Sequence, residues 1–178
     1  MTRPLRDNEI HVRPITAGGV LSVLAEYLGR AIHAETLRRS PLGKPYIRGA
    51  DLEFSVSHTQ GCGVIAIARR ALGIDVEALL PLPDLESLAA VSLAAGEARA
   101  LAAMPATERE DWYYRCWVRK EALLKARGCG LTLDPRAIDT TRAADGWHWH
   151  DVRLAGRIAM SIATPYPRVR IVTMDGLR

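Results

Sequence analysis

Two acids stand one residue apart in the apolar run LGIDVEALL, Asp75 and Glu77, and a third, Glu121, precedes Lys125 by four residues in WVRKEALLK. Successive odd positions of a strand point to one face, so Asp75 and Glu77 stand side by side and repel unless they face solvent or a cation lies between them. On a helix, Trp117, Glu121 and Lys125 stack along one stripe, and Glu121 before Lys125 is the favourable order for an intrahelical ion pair. Taken alone, such a pair is an exposed helix contact worth a few tenths of a kcal/mol. Taken together, the three carboxylates are the oxygen set that a hard cation such as Mg²⁺ accepts, with water and substrate phosphate completing its shell. Lys125 beside them would neutralise phosphate charge. Metal and lysine together suit chemistry in which oxygen charge grows as a phosphate bond breaks.

Other residues fit the same task less specifically. FSVSH ends a strand pattern with Ser57 and His58, followed by Gly61 and Gly63, and a hydroxyl, an imidazole and small turn residues can bind phosphate oxygens. Lys44 in GKP sits in a turn and needs no function to be there. WHWH puts His148 and His150 on one strand face, but with no third ligand nearby a half-buried strand is the better reading. Cys62, Cys116 and Cys129 are too scattered for a disulfide framework and form no CxxC pair, so they are expected to be reduced bystanders.

The elements that must position these groups follow from periodicity and punctuation. Residues 9–15 and the FSVSH, VIAIA and LGIDVE segments read as strands, the middle two flanking a turn around Gly61. Apolar residues recur at helical spacing over 19–33, and Pro41 with Gly43-Lys44-Pro45 forbids continuation beyond it. LPLPD (80–84) divides the chain. Helices are expected at 85–91 and 94–103, then a long one from Thr107 to Arg127, with Glu110 three residues after Thr107 as a capping box and Gly128 as the stop. Short strands are expected at 146–154, 157–163 and 168–174. The class is α+β.

Composition narrows the setting. The chain has 178 residues, 48% hydrophobic and 25% charged, which suits one compact domain or two small halves with a shared core. Twenty-four basic against 20 acidic residues give a formal charge of +4, mildly favourable to phosphate-bearing or acidic partners. A single Phe and no interleaving of aromatic and basic residues argue against a nucleic-acid platform. No apolar run approaches a membrane span and the first residues carry no secretory h-region, so a cytoplasmic protein is expected.

In order, GKPYI, FSVSHT, LGIDVE and WVRKEALLKARGCGL resemble the motifs of the single-chain 4′-phosphopantetheinyl transferases. The resemblance runs from about residue 20 to 135 and implies two similar α+β halves, a pseudo-dimer of residues 1–80 and 81–178 with the active site between them. It implies a monomeric enzyme that moves the 4′-phosphopantetheine arm of coenzyme A to a serine of an apo acyl or peptidyl carrier protein, with Mg²⁺ bound and 3′,5′-ADP released. Carried over residue by residue, Asp75, Glu77 and Glu121 would hold the metal and Lys125 would sit on a phosphate. Glu121 would also help deprotonate the carrier serine, Ser57 and His58 would meet the nucleotide phosphates, and Lys44 the nucleotide end. Glu97 matches the acid of a further family element, although Leu93 and Ala94 replace its usual Phe and Ser. Gly18, Gly19 and Val20 stand where longer members carry a basic stretch. Two competing readings stand beside this one: a Mg²⁺-dependent nucleotide phosphohydrolase, which uses the same three carboxylates and needs no carrier, and a non-catalytic carrier-binding homologue, which binds without turnover and is indifferent to Asp75→Ala.

Overall fold

A computed structural model describes residues 4–15, 18–142, 144–154 and 157–173. In chain order it contains β1 (Glu9–Pro14), α1 (Gly19–Leu28), β2 (Leu37–Arg39), β3 (Pro45–Ile47), β4 (Glu53–Thr59), β5 (Cys62–Ala68) and β6 (Gly73–Ala78). There follow α2 (Leu85–Ser92), α3 (Ala95–Ala102), α4 (Ala106–Arg127), β7 (His148–Arg153), β8 (Ile158–Thr164) and β9 (Arg170–Thr173). The chain is α+β, as its patterning requires. Residue 174, the expected end of the last strand, lies outside the described residues.

Two sheets lie back to back between helices. One has the order β4-β5-β1-β9, the other β6-β8-β7, and β2 and β3 form a separate hairpin. Residues 64, 66 and 68 of β5 face the second sheet, joining Ile74, Val76, Met160 and Ile162, whereas Ile65 and Ile67 face α1 with Val23, Leu24 and Phe54. Because both faces of β5 are covered, VIAIA shows no polar alternation, the pattern of a strand buried on two sides. On the outer face of the second sheet, Ala122, Leu123 and Ala126 of α4 pack on Ala163. The expected boundary at residue 80 is crossed by hydrogen bonding in both directions: β6 pairs with β8, and β9 pairs in parallel with β1.

Element ends differ from the sequence expectation where local chemistry intervenes. Helix α1 stops at Leu28 rather than running to residue 33, because Gly29 turns left-handed (φ 63°) and closes it. Helix α4 starts after Pro105 without a side-chain cap. Glu110, expected to close a capping box with Thr107, instead accepts the Leu82 N–H at 2.9 Å and ties the helix to the 80–84 linker. Gly128, left-handed at φ 69°, ends α4 as expected. No described helix is long and apolar enough to cross a membrane.

Candidate active site at the β6–α4 seam

Gly73 determines how closely helix and strand approach. A Cβ there would lie 2.0 Å from the Ala122 carbonyl oxygen and 2.3 Å from the Ala126 nitrogen, so no side chain fits. Residues 75 and 77 share the face of Gly73 and therefore also look toward α4. Asp75 Oδ1 accepts from Lys125 Nζ at 2.6 Å and from Ser57 Oγ at 2.8 Å, while Lys125 Nζ also donates to Ser57 Oγ at 3.0 Å. Glu77 Oε2 accepts from Thr59 Oγ1 at 3.3 Å. The sequence stripe thus brings its acids and its lysine together, but the lysine chooses the strand acid rather than Glu121 four residues before it.

The three carboxylates feel one another. Burial pushes Asp75 above the usual carboxylate range, and the Lys125 ammonium and the Ser57 hydroxyl offset only part of that. Burial likewise raises Glu77, with the Asp75 charge adding to it and Thr59 and Trp117 opposing. Glu121 is raised by burial and then by Asp75. Asp75 Oδ2 and Glu121 Oε1 are buried with no hydrogen-bond partner among the described residues. An orphaned carboxylate oxygen away from water is unfavourable unless something positive meets it. The donor chemistry therefore fits a hard cation, and Asp75, Glu77 and Glu121 are the residues that could hold one. Their arrangement differs from the sequence expectation: among the described residues no group of three His, Cys, Asp or Glu side chains is gathered tightly enough to hold a metal ion. Asp75 Oδ1 pairs instead with the Lys125 ammonium.

The remaining residues singled out by sequence are placed as follows. Ser57 and His58 diverge, since adjacent residues of a strand face opposite ways: Ser57 is buried against Asp75 and His58 is exposed. Lys44 Nζ donates to the Leu72 and Ala126 carbonyls, each at 3.2 Å, bracing the GKP turn against the C-terminal end of α4, where a cation complements the helix dipole. A cavity of about 240 Å³ opens beside that turn, lined by Leu42, Gly43, Lys44, Pro45 and Ser55, with Lys125 at its edge. Glu97 lies apart from the cluster, fully buried in an ion pair with Lys120 at 2.6 Å. Its oxygens accept from Ala94 N, Thr140 N and Thr140 Oγ1, so it has no free lone pair for proton transfer. Sequence reasoning missed Thr59 and Ser55; the signal was the alternation S-x-S-x-T across residues 55–59.

A carboxylate cluster with a lysine at its rim beside an open cavity suits metal-assisted phosphate chemistry. The family model of the 4′-phosphopantetheinyl transferase superfamily matches residues 71–156, the segment that holds β6, α4 and all three acids. The 4′-phosphopantetheinyl transferase HetI of Nostoc sp. is 38% identical over 128 residues, 68% of this chain and 54% of that protein. The 4′-phosphopantetheinyl transferase Sfp of Bacillus subtilis is 31% identical over 105 residues, 58% of this chain and 46% of that protein. AcpT of Salmonella typhimurium, also named a 4′-phosphopantetheinyl transferase, is 32% identical over 101 residues, 56% of this chain and 52% of that protein. Through the matched segment the chain belongs to the 4′-phosphopantetheinyl transferase superfamily. It spans about half the length of the curated relatives it matches.

Proposed function

We propose that this protein transfers the 4′-phosphopantetheine arm of coenzyme A to a serine of an apo acyl or peptidyl carrier protein, with Mg²⁺ bound and 3′,5′-ADP released. The observation that carries the reading is the unsatisfied carboxylate set: Asp75 Oδ2 and Glu121 Oε1, buried and unpartnered, on two elements of the matched segment. Asp75, Glu77 and Glu121 would hold Mg²⁺ against the pyrophosphate, and the bound ion would supply charge stabilisation to the phosphate oxygens. Lys125, whose side chain keeps 30% of its surface exposed, releases Asp75 and turns its ammonium to a phosphate oxygen of the incoming substrate. Glu121 would also help remove the serine hydroxyl proton, directly or through water. The serine oxygen then bonds to the phosphorus bearing the pantetheine arm, and the bond from that phosphorus to the departing 3′,5′-ADP breaks. Lys44 and the GKP turn border the cavity and would meet the nucleotide end, and His58, exposed on the other face of β4 from Ser57, would meet the nucleotide phosphates. Ser57 contributes from behind Asp75. The two α+β halves, 1–80 and 81–178, meet at this seam in a monomeric cytoplasmic enzyme.

The test is incubation with coenzyme A and a panel of apo carrier proteins, with Mg²⁺ or with EDTA, followed by intact-mass measurement. The expected result is one added phosphopantetheine group on at least one carrier, only with Mg²⁺. Breakdown of coenzyme A without any carrier would support the phosphohydrolase reading instead. Carrier binding with no mass gain anywhere would make the protein a non-catalytic homologue.

A further inference from the structure

The edge of β6 that faces away from β8 is bonded in an unusual way. Its amides at Ile74, Val76 and Ala78 donate not to strand carbonyls but to three side-chain hydroxyls of β4: Ser55 Oγ at 3.1 Å, Ser57 Oγ at 3.2 Å and Thr59 Oγ1 at 2.9 Å. The three hydroxyls sit at alternate positions and so on one face of β4, and each rung joins residues separated by 19 positions. A hydroxyl that accepts an amide proton still has its own proton to give. Ser57 gives it to Asp75 Oδ1 and Thr59 gives it to Glu77 Oε2. Ser55 stands one rung further in, where the corresponding residue is Gly73 and no carboxylate exists to receive it. Ser57 is also saturated: it donates to Asp75 and accepts from Val76 N and Lys125 Nζ, which leaves no capacity for a phosphate oxygen in this arrangement.

We propose that this hydroxyl ladder is the positioning device of the carboxylate site, with Ser57 and Thr59 as positioning residues that set the directions of Asp75 and Glu77. The proposal rests on the reading of those two acids as cation ligands. Each hydroxyl fixes one carboxylate oxygen, which leaves Asp75 Oδ2 unpartnered among the described residues, while Glu77 is held by Thr59 together with the Trp117 side chain; outer partners of this kind are worth on the order of 10- to 100-fold in metal affinity. The three rungs share the register of β6 against β4, so the loss of one leaves two to hold it. Ser55 holds the register only.

Thr59 is the rung to test, because valine matches its shape without the hydroxyl and serine keeps the hydroxyl without the shape. Mg²⁺ is titrated by calorimetry into the full chain and into Thr59→Val, Thr59→Ser and Ser55→Ala, with no coenzyme A present. On the same proteins, amide exchange at Ile74 and Ala78 and the Glu77 side-chain rotamer are measured by NMR, the rotamer from three-bond couplings. Thr59→Val is expected to weaken Mg²⁺ binding about 10-fold or more, speed exchange at Ala78 and release the Glu77 rotamer, with Thr59→Ser restoring all three. Ser55→Ala is expected to speed exchange at Ile74 and leave Mg²⁺ affinity unchanged. An unchanged Glu77 rotamer and unchanged affinity in Thr59→Val would overturn the proposal, as would a Ser55→Ala protein weakened for Mg²⁺ to the same degree. If the parent chain takes up no Mg²⁺, the functional reading fails, and the ladder is decided by the Glu77 rotamer and Ala78 exchange alone.

Discussion

Helix α4 presents two lysine–carboxylate pairs of equal length five residues apart, and they are opposites. Lys120 meets Glu97 at 2.6 Å with both side chains fully buried. The lysine also donates to the Pro135 and Ile138 carbonyls, and the glutamate receives three further donors. Lys125 meets Asp75 at the same 2.6 Å, but the lysine remains part-exposed and one aspartate oxygen stays orphaned beside a second orphan on Glu121. A saturated buried pair holds the loop at 135–140 and the start of α3 against α4, and nothing is left over for a ligand. The unsaturated pair has lone pairs without partners and a part-exposed cation. Ion pairing by itself is therefore silent about function; the unfilled valence beside it is the informative part.

Breaking each pair should have different consequences. Asp75→Ala is expected to lower phosphopantetheine transfer by about 10³-fold or more, the scale of losing a central transition-state contact, while the thermal midpoint stays near that of the parent. A fully active Asp75→Ala protein in the carrier mass assay would contradict the comparison. Lys120→Met should do the reverse, leaving Glu97 as an uncompensated buried charge and lowering stability by about 3–5 kcal/mol, read from urea unfolding; a parental midpoint would show that the pair is not structural.

A pH series sharpens the contrast. The pKa values of Glu77 and Glu121 are raised by burial and by Asp75, so the folded chain holds these protons more tightly than the unfolded chain. Their contribution favours folding at pH values below the ordinary carboxylate range and is lost as pH rises through the raised values. Mg²⁺ held by these acids would bind their ionised forms, so its stabilising shift in thermal midpoint should be larger at about pH 7.5 than at about pH 5. Equal shifts at both would argue against a carboxylate site. The smallest expected effect concerns Cys116, buried on the saturated side, whose thiol is pushed up to about 11 by burial. Iodoacetamide at about pH 8 should label Cys62 and Cys129 well before it, as peptide masses would report.

The strands and the long helix were legible because apolar periodicity and glycine punctuation are local signals. LGIDVE, VIAIA and Gly128 carry their conformation in their own residues. The side-by-side acids of β6 were legible for the same reason, since strand alternation alone puts Asp75 and Glu77 on one face. Partner choice was not. Lys125 reads as the i+4 partner of Glu121, yet it bonds to an aspartate 50 positions away, because Gly73 brings β6 against α4 closely enough for that contact. Glu110 reads as a capping residue, yet it captures the Leu82 amide from a linker that only the fold brings near. Ser57 and His58 read as a working pair in sequence, yet alternation sends them to opposite faces. The hydroxyl ladder was visible as S-x-S-x-T, but its meaning required knowing that the edge of β6 lies against that face. Long-range contacts, not local propensity, separate the three acids at the β6–α4 seam from Glu97, which Lys120 and Thr140 saturate.

The most direct measurement is a crystal structure of the full chain with Mg²⁺ and coenzyme A. The expected structure has one metal ion within about 2.0–2.1 Å of oxygens of Asp75, Glu77 and Glu121, with Lys125 moved from Asp75 onto a phosphate oxygen and the Lys120–Glu97 pair unchanged. A metal bound elsewhere, or coenzyme A bound while Lys125 still holds Asp75 and the Glu121 oxygen remains unpartnered, would contradict it.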